Sequence, residues 1–591
     1  MILFTLFISA TVLSYLFSRV VQRSAIRRGA IVSPHSDRWN RRSIPTFGGV
    51  AIVATSVILS AIFLLLSGLI DEVITSSIVM LAALAMFLVG MADDNLQLTP
   101  LAKLVASLVV GAFFVFGLNL PGVIPAWVAV LSIVWFSGIV HALNLLDNMD
   151  GLAAGVALAA CLFLAVAFGV NLGPMLVAVL VVVGGSLLGF LVWNRHPARL
   201  FMGDCGSLFI GAILASASLV PIIKSDAPLF FNGFIASLIL VVPLFDTGFV
   251  LILRRMAGRK ATRGGTDHVS HRLVSLGFSE RSAVRILYVF GLVGGALAVS
   301  LSLGGSSLLP IAGLFIVGII LAGIYLARVP AYKNEDFLAL QKSALAPFLQ
   351  DLAFRWHVGQ VLLDVLLVSS MFYAAYLIRF SDDALGQFLP SFAASLPIVL
   401  ACKLVALYLS GLYSRSWSTF GLRDLYVVAY GVGGGSILSI LAAAYVFRFE
   451  LFSRGVFLID ALLLFTAVVA TRASFRLMGE AAVNRSKKRR RVLIYGAGSG
   501  GQLLAREMRV NRHWMLSPVG FLDDDPKKQL RWILGLPVGG GVDKLKASLG
   551  RYRAEEIILS SDSINGSVET KIREVCKTHG VSVRRLRVEI S

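Results

Sequence analysis

The chain has 591 residues, 57% of them hydrophobic and only 15% charged, and its mean hydropathy is +0.83. A chain this apolar would aggregate in water, so a polytopic membrane protein is expected and a soluble enzyme is excluded. The formal net charge of +20 would suit a nucleic-acid binder, but the basic residues gather in alternate loops between apolar spans, which argues against that partner.

The first span covers roughly residues 2–21. No basic segment precedes it and no small-residue cleavage site follows it, so it is expected to be retained as a helix and not removed as a signal peptide. Stretches near the length that spans a bilayer recur about 15 times, about 11 of them before residue 330. Arg23, Arg27, Arg28, Arg38, Arg41 and Arg42 separate the first two spans. Arg254, Arg255, Arg259, Lys260 and Arg263 follow a later one, and Lys487, Lys488, Arg489, Arg490 and Arg491 follow the last. The intervening loops hold mainly Lys224, Arg379, Arg448 and Arg454. This positive-inside pattern puts the N-terminus outside and the loop at 22–45 inside. Counting spans from there brings every polar motif described below to the cytoplasmic face.

Asp93-Asp94 closes a span and is followed by Lys103. Adjacent carboxylates at a membrane edge are costly unless a cation or a partner holds them, although aspartate is also common at helix ends. Asn144, Asp147, Asp150 and Gly151 follow; at helical spacing Asn144, Asp147 and Gly151 share a face, with Asp150 beside it. Asn194 leads into Phe201-Met202-Gly203-Asp204-Cys205-Gly206-Ser207. There the glycines allow close backbone approach, a helix N-terminus would favour a phosphate, and Asp204 could reach a metal or serve as a plain cap. Asp267, His268, His271 and Arg272 close a long basic loop. No third ligand lies near the two histidines, so hydrogen bonds to phosphate or nucleotide oxygens are expected there in place of zinc. Cys161, Cys205, Cys402 and Cys576 have no CxxC spacing and give neither a disulfide framework nor a zinc site.

Residues 331–355 read as an inner linker, and four more spans follow near 358–378, 389–411, 425–447 and 455–474. Past the basic run 484–491 the pattern becomes that of a soluble α/β domain of about 100 residues. Its strands are expected at 491–495, 519–522, 556–559 and 581–583, with a helix at 502–510. Gly496-x-Gly498-x-x-Gly501 lies in a strand–turn–helix context, with Asp523 in the acidic run some 20 to 25 positions on, near the expected distance. A nucleotide or nucleotide-sugar site is one reading of this loop; a module that binds nothing, or docks a partner enzyme, is the other.

Over residues 1–330 the motifs resemble the polyprenyl-phosphate N-acetylhexosamine-1-phosphate transferase superfamily, the WecA/TagO/MraY group. The carriers are Asp93-Asp94, Asn-x-x-Asp-x-x-Asp-Gly-Leu-Ala at 144–153, and Asn-x-x-Pro-Ala-x-x-Phe-Met-Gly-Asp-x-Gly-Ser at 194–207. Pro243-Leu244-Phe245-Asp246, Asp-His-x-x-His-Arg at 267–272 and Ile44-Pro45-Thr46-Phe47-Gly48-Gly49 complete the set. His141 stands where the family has asparagine, and Asn148 where it has glycine. The resemblance implies transfer of N-acetylhexosamine 1-phosphate from a UDP-sugar, UDP-GlcNAc first, to undecaprenyl phosphate with release of UMP. It implies Mg²⁺, with Mn²⁺ as a substitute, held by Asp204, Asp147 and Asp94. Asp93 and Asp94 would engage the lipid phosphate. Lys103, Asn144, Asp147, Asp150, Asn194, Asp267, His268, His271 and Arg272 would bind substrate, with Asp93, Asp94 and Asp204 catalytic. A homodimer is its implied oligomeric state.

Residues 350–591 resemble the N-terminal part of the CapD-like nucleotide-sugar epimerase/dehydratase family. The carriers are Gly411-Leu412-Tyr413-Ser414-Arg415, Leu422-Arg423-Asp424-Leu425, Val492 to Gly501, and Val519 to Pro526. No Tyr-x-x-x-Lys follows residue 491, so dehydratase activity is not expected. The predicted architecture is therefore a polytopic all-α membrane protein with a C-terminal cytoplasmic Rossmann-like α/β domain, in a bacterial plasma membrane. It divides into a transferase domain (1–330), a linker (331–355), a four-helix membrane region (356–480) and a nucleotide-binding domain (490–591). A transporter or flippase, or an inactive scaffold for glycan assembly, is the rival class. Transporter sites usually lie at the membrane midplane, whereas these acidic motifs sit at span ends.

Overall fold

The computed structural model describes residues 1–32, 43–68, 73–118, 124–224, 228–256, 265, 267–327, 356–380, 382–414, 420–448, 453–485, 490–511, 514–560 and 566–585. The expected linker at 331–355, Arg415, and the basic positions at 38–42, 259–263 and 487–489 lie outside the described residues. Two compact units divide the chain, Met1–Met478 and Gly479–Ser591.

In the first unit each long apolar run becomes a helix, because backbone in lipid can only satisfy its polar groups internally. The order is α1 (Ile2–Arg27), an antiparallel ribbon of β1 (Ile31–Val32) and β2 (Ile44–Pro45), α2 (Gly48–Ser67), α3 (Val73–Leu96), α4 (Pro100–Leu118) and α5 (Ala126–Leu146). Then come α6 (Leu152–Ala167), α7 (Gly169–Asn194), α8 (Gly203–Lys224), α9 (Leu229–Ile239), α10 (Val241–Met256), α11 (Val269–Ser275), α12 (Glu280–Ser302) and α13 (Leu309–Ala327). Four more follow: α14 (Trp356–Arg379), α15 (Asp382–Leu409), α16 (Leu422–Phe447) and α17 (Arg454–Arg485).

Among the described residues 13 helices are long and apolar enough to cross a bilayer, fewer than the pattern predicts. Two stretches account for the difference. α6 has only 16 residues. The apolar run at 229–255 is broken by an 85° bend between α9 and α10. Pro243 sits in the first turn of α10, where a missing N–H is tolerated but cannot bond back to Ile239 and carry α9 on.

α8 is the buried centre of the bundle: every residue from Cys205 to Pro221 is inside. Its neighbours α2 and α3 approach through glycine. A Cβ on Gly90 of α3 would collide with the Asp204 carbonyl, and one on Gly49 of α2 with the Gly206 backbone. Small residues at such crossings let helices pack in lipid, where no hydrophobic force draws them together. These contacts fix the ends of α2, α3 and α8 against one another, and the polar motifs lie at those ends.

α13 to α17 share a second apolar cluster, with Val317 and Leu321 of α13 packed among Leu363, Leu367 and Phe372 of α14 and Val428 of α16. Two ion pairs are fully buried beside it. Arg472 of α17 donates to both oxygens of Asp364 on α14, at 3.0 and 2.8 Å. Lys403 of α15 pairs with Asp460 of α17.

The second unit holds β3 (Arg490–Tyr495), α18 (Ser499–Val510), β4 (Leu516–Leu522), β5 (Trp532–Ile533), β6 (Leu536–Gly539), α19 (Leu545–Tyr552), β7 (Glu556–Leu559), α20 (Gly566–Thr578) and β8 (Ser582–Arg585). The sheet order is β5-β6-β4-β3-β7-β8, with every pair parallel except β5–β6. Setting the β5 hairpin strand aside, this is the doubly wound order with its switch point between β3 and β7. Val492, Leu493 and Ile494 are fully buried, as a central parallel strand requires. The β5–β6 hairpin is a finding of the structure. Its two turn residues, Leu534 and Gly535, both have positive φ (53° and 69°), the primed-turn geometry that sequence signals associate with Asn-Gly and not with leucine.

The buried pairs make a direct prediction. Lys403→Ala or Asp460→Ala alone leaves an unpaired charge in the membrane and is expected to cost about 3–5 kcal/mol, whereas replacing both by leucine should be far better tolerated. Thermal unfolding of the detergent-solubilised chain followed by size-exclusion chromatography checks this; equal losses in the single and double variants would contradict it.

Candidate active site at one end of the bundle

Three aspartates meet where α3, α4 and α8 converge. Lys103 of α4 donates to Asp93 Oδ2 at 2.6 Å and to Asp204 Oδ2 at 3.2 Å. The other oxygen of Asp93 accepts from the Leu98 amide at 2.8 Å, which fixes the turn between α3 and α4. Asp94 faces α8 instead: its two oxygens accept from the amides of Asp204 and Cys205, at 2.9 and 3.0 Å. Two of the first-turn amides of α8, where a phosphate is expected, are therefore taken by the protein's own Asp94 carboxylate. Gly203 permits this twice over. Its φ is +77°, and a Cβ there would stand 2.8 Å from Asp94 Oδ2.

The helical face expected for Asn144, Asp147 and Gly151 does not form, because α5 stops at Leu146 and residues 147–151 make a turn. Gly151 starts α6 with φ +78°. Its amide donates to Asn194 Oδ1 at 3.0 Å, and its carbonyl accepts from the Tyr288 hydroxyl at 2.6 Å. Asn194 also donates to the Leu200 carbonyl at 3.0 Å, so this buried amide braces the turn against the loop between α7 and α8. Asp150 Oδ2 accepts from the Ala198 amide at 2.9 Å and lies 3.1 Å from His196 Nδ1. Asn144 donates to Ser207 Oγ at 3.1 Å.

A cleft of about 910 Å³ opens among these elements. Asp94, Asn144, Asp147, Asp150, Asn194 and Asp204 line it, with Thr46 of the 44–49 motif, and so do residues not assigned a role from the sequence: Gln22, His196, Arg199 and Glu280. No spacing signal marks these four, since they come from α1, the α7–α8 loop and the start of α12.

The Asp267–Arg272 segment lies elsewhere. Asp267 is gripped by Arg254 at 2.7 and 2.8 Å. His268 Nδ1 lies 2.7 Å from Asp246 Oδ2, and Asp246 Oδ1 accepts from the Val269 amide at 2.8 Å. Arg272 donates to the carbonyls of Leu326 and Asp267, at 2.9 and 3.2 Å, and its guanidinium lies over Phe249. Burial, with help from the neighbouring His268, pushes the His271 imidazole down to about 4, so it is neutral near pH 7. All four residues are buried, and none of them lines the cleft. Their bonds tie α10, α11 and the end of α13 together, a bracing that the motif alone did not reveal.

In the second unit Asp523 comes to the glycine loop. Its Oδ2 accepts from the Ala497 amide at 2.7 Å, and its Oδ1 from Asp525 at 2.9 Å. Burial raises its carboxyl, but these two amides and Lys528 outweigh that and hold it below the ordinary range. Gly496 has φ +102°, and a Cβ on Gly501 would strike the Gly496 carbonyl, so two glycines of the loop have steric reasons. Ser560 Oγ donates to the Tyr495 carbonyl at 2.8 Å.

Comparison with known proteins agrees with this geometry. The model of glycosyl transferase family 4 matches residues 76–222, the stretch that supplies Asp93, Asp94, Lys103, Asn144, Asp147, Asp150, Asn194 and Asp204. A "CoA-binding domain" model matches residues 409–585. The chain is 32% identical over 349 residues to the "Probable undecaprenyl-phosphate N-acetylglucosaminyl 1-phosphate transferase" of Bacillus subtilis (strain 168), covering 57% of this chain and 94% of that protein. It is 30% identical over 318 residues to the "Decaprenyl-phosphate N-acetylglucosaminephosphotransferase" of Mycolicibacterium smegmatis, covering 48% and 78%. With the "Undecaprenyl-phosphate alpha-N-acetylglucosaminyl 1-phosphate transferase" of Thermotoga maritima the figures are 26% over 300 residues, 49% and 88%. The aspartates gathered at one end of an apolar bundle and these likenesses lead to one assignment: the chain belongs to the polyprenyl-phosphate N-acetylglucosamine-1-phosphate transferase family, the membrane phosphosugar transferases of glycosyl transferase family 4, and carries a CoA-binding-domain module in its C-terminal half.

Proposed function

We propose that the protein transfers N-acetylhexosamine 1-phosphate from UDP-GlcNAc to undecaprenyl phosphate, releasing UMP, at the cytoplasmic face of a bacterial plasma membrane. The observation that carries this reading is the Asp93–Lys103–Asp204 cluster, whose Asp204 together with Asp94 lines a cleft large enough for a nucleotide-sugar. The side of the membrane rests on the positive-inside distribution of arginine and lysine.

Asp93, Asp94 and Asp204 are the groups assigned to the reacting end. Lys103 bridges Asp93 and Asp204 and so holds the two carboxylates together. Asn144, Asp147 and Asp150 shape the donor pocket. Asn194 acts through the turn it braces. His268, His271, Arg272 and Asp267 support the donor side from behind, as parts of the buried brace they form.

Asp204, Asp147 and Asp94 present carboxylate oxygen to the cleft, the donor type a hard cation prefers. Among the described residues no three histidines, cysteines or carboxylates gather into a metal cage. Mg²⁺ needs none, because it commonly binds through one or two carboxylates and substrate phosphates. Bound there, the ion would offset the charge of the donor diphosphate and of the departing UMP.

For the second unit we propose a nucleotide or nucleotide-sugar site at Gly496, Gly498, Gly501 and Asp523, with a regulatory or accessory role toward the transferase.

The purified chain is expected to move radiolabel from UDP-GlcNAc to undecaprenyl phosphate and to release UMP, only when Mg²⁺ or Mn²⁺ is present. Failure with this and other UDP-N-acetyl sugars would overturn the reading. Asp93→Asn and Asp204→Asn should each lower kcat by about 100-fold or more while the protein still folds. Lys103→Met should impair transfer comparably, because it leaves two neighbouring carboxylates without their shared cation. Normal turnover in any of the three would remove that residue from the reacting end.

A further inference from the structure

His196 and Glu280, which the family reading leaves unused, form a cluster with Asp150. His196 Nδ1 lies 3.1 Å from Asp150 Oδ2 and 3.3 Å from Glu280 Oε2. The three side chains come from the α5–α6 turn, the α7–α8 loop and the first turn of α12, and all three line the cleft. A carboxylate in the first turn of a helix is common, and that explains Glu280 alone. It does not explain why an imidazole nitrogen stands between two carboxylates from separate segments. An ion pair as open as this one, with His196 and Glu280 about one-third exposed, adds little to stability.

Two carboxylates at one nitrogen set the imidazole chemically. The proton sits on Nδ1, and Nε2 is left over. Among the described residues Nε2 has no hydrogen-bond partner, nor do Asp150 Oδ1 and Glu280 Oε1. The cleft wall therefore offers two carboxylate acceptors and one imidazole nitrogen. Its net charge is negative whether or not the histidine is protonated, so it repels phosphate. What satisfies it is a neutral group that both donates and accepts, and a sugar hydroxyl does both.

We infer that His196, positioned by Asp150 and Glu280, binds hydroxyl groups of the nucleotide-sugar donor and so sets donor affinity. This rests on the transfer reaction proposed above. The cluster holds the uncharged part of the donor, and the phosphates go to the Asp204 end of the cleft with the cation proposed there. His196 is the contact residue, and Glu280 is a positioning residue that also borders the cleft. The hydroxyls belong either to the ribose or to the hexosamine ring, and the test separates the two.

The experiment uses the full chain in detergent or nanodiscs, with His196→Gln, His196→Ala and Glu280→Gln. It measures KM and kcat for UDP-GlcNAc, the Kd of UDP-GlcNAc by calorimetry, and inhibition by UMP. His196→Ala and Glu280→Gln are expected to raise KM and Kd about tenfold, with kcat within about threefold, and His196→Gln should recover part of the loss. Weaker UMP inhibition in step with KM assigns the ribose; unchanged UMP inhibition with raised KM assigns the hexosamine. Unchanged Kd and KM in the folded variants overturns the inference, as does a fall in kcat at constant KM. Should His196→Ala fail to fold, Glu280→Gln decides by the same criteria. A wild-type chain that binds UDP-GlcNAc in a His196-dependent way but transfers nothing would overturn the reaction and leave this assignment standing.

Discussion

The structure depends on holding three carboxylates together at the edge of a membrane. Each would rather be apart from the others and in water. Lys103 offsets two of them, Asp93 and Asp204. The third, Asp94, is offset by the first-turn amides of α8. That second solution demands close approach of α3 to the start of α8, and Gly90 and Gly203 are what allow it. The glycines of these helices and the aspartates of the site are thus parts of one constraint. A side chain at either glycine would pull Asp94 from its amides before it touched any substrate.

The C-terminal membrane helices solve a related problem without a cleft. α17 carries Asp460 and Arg472, of opposite sign and 12 residues apart, or about 18 Å along the helix. Each meets its counterpart on a different neighbour, α15 and α14. Sliding α17 by a single turn would unmake both pairs at once and leave four buried charges alone. Apolar packing in lipid tolerates such slips far more readily than charge does. The pairs specify register, and they do so at the expense of some stability that apolar contacts could have supplied.

What was legible in the sequence follows from range. Span positions, the α/β character of the last hundred or so residues and the glycine loop are local patterns, and they appear close to where periodicity puts them. Asp93, Asp94, Asn144, Asp147, Asp150, Asn194 and Asp204 were visible because charge inside an apolar chain is conspicuous, and the structure brings them to one end of the bundle. What they do there was less legible. The α5 helix ends at Leu146, so spacing misjudged the face of Asp147. A helix N-terminus looked open to phosphate, yet Asp94, 110 and 111 residues before the two amides it meets, already takes part of it. The break at Leu240 hides in an unbroken apolar run, because composition does not encode direction. His196 and Glu280 gave no signal, since neither residue is unusual until the fold sets them against Asp150.

The balance of charge in the cleft adds a constraint of its own. Asp94, Asp147, Asp150, Asp204 and Glu280 line it, against Arg199 and the imidazole of His196. Both substrates of a polyprenyl-phosphate sugar-1-phosphate transfer are anionic, so such a cavity repels the molecules it is proposed to join. Lys103 cannot correct this, as it is committed to Asp93 and Asp204. On the proposed reaction a divalent cation would arrive from solution, and the cleft's excess of carboxylate is what would attract it. Acidic lining that would be a defect in a simple anion pocket becomes sense in a site completed by a divalent ion and a diphosphate together. By the same reasoning the donor would enter with its ion, and the hydroxyl-binding cluster at His196 would then select by the neutral part, where charge no longer discriminates.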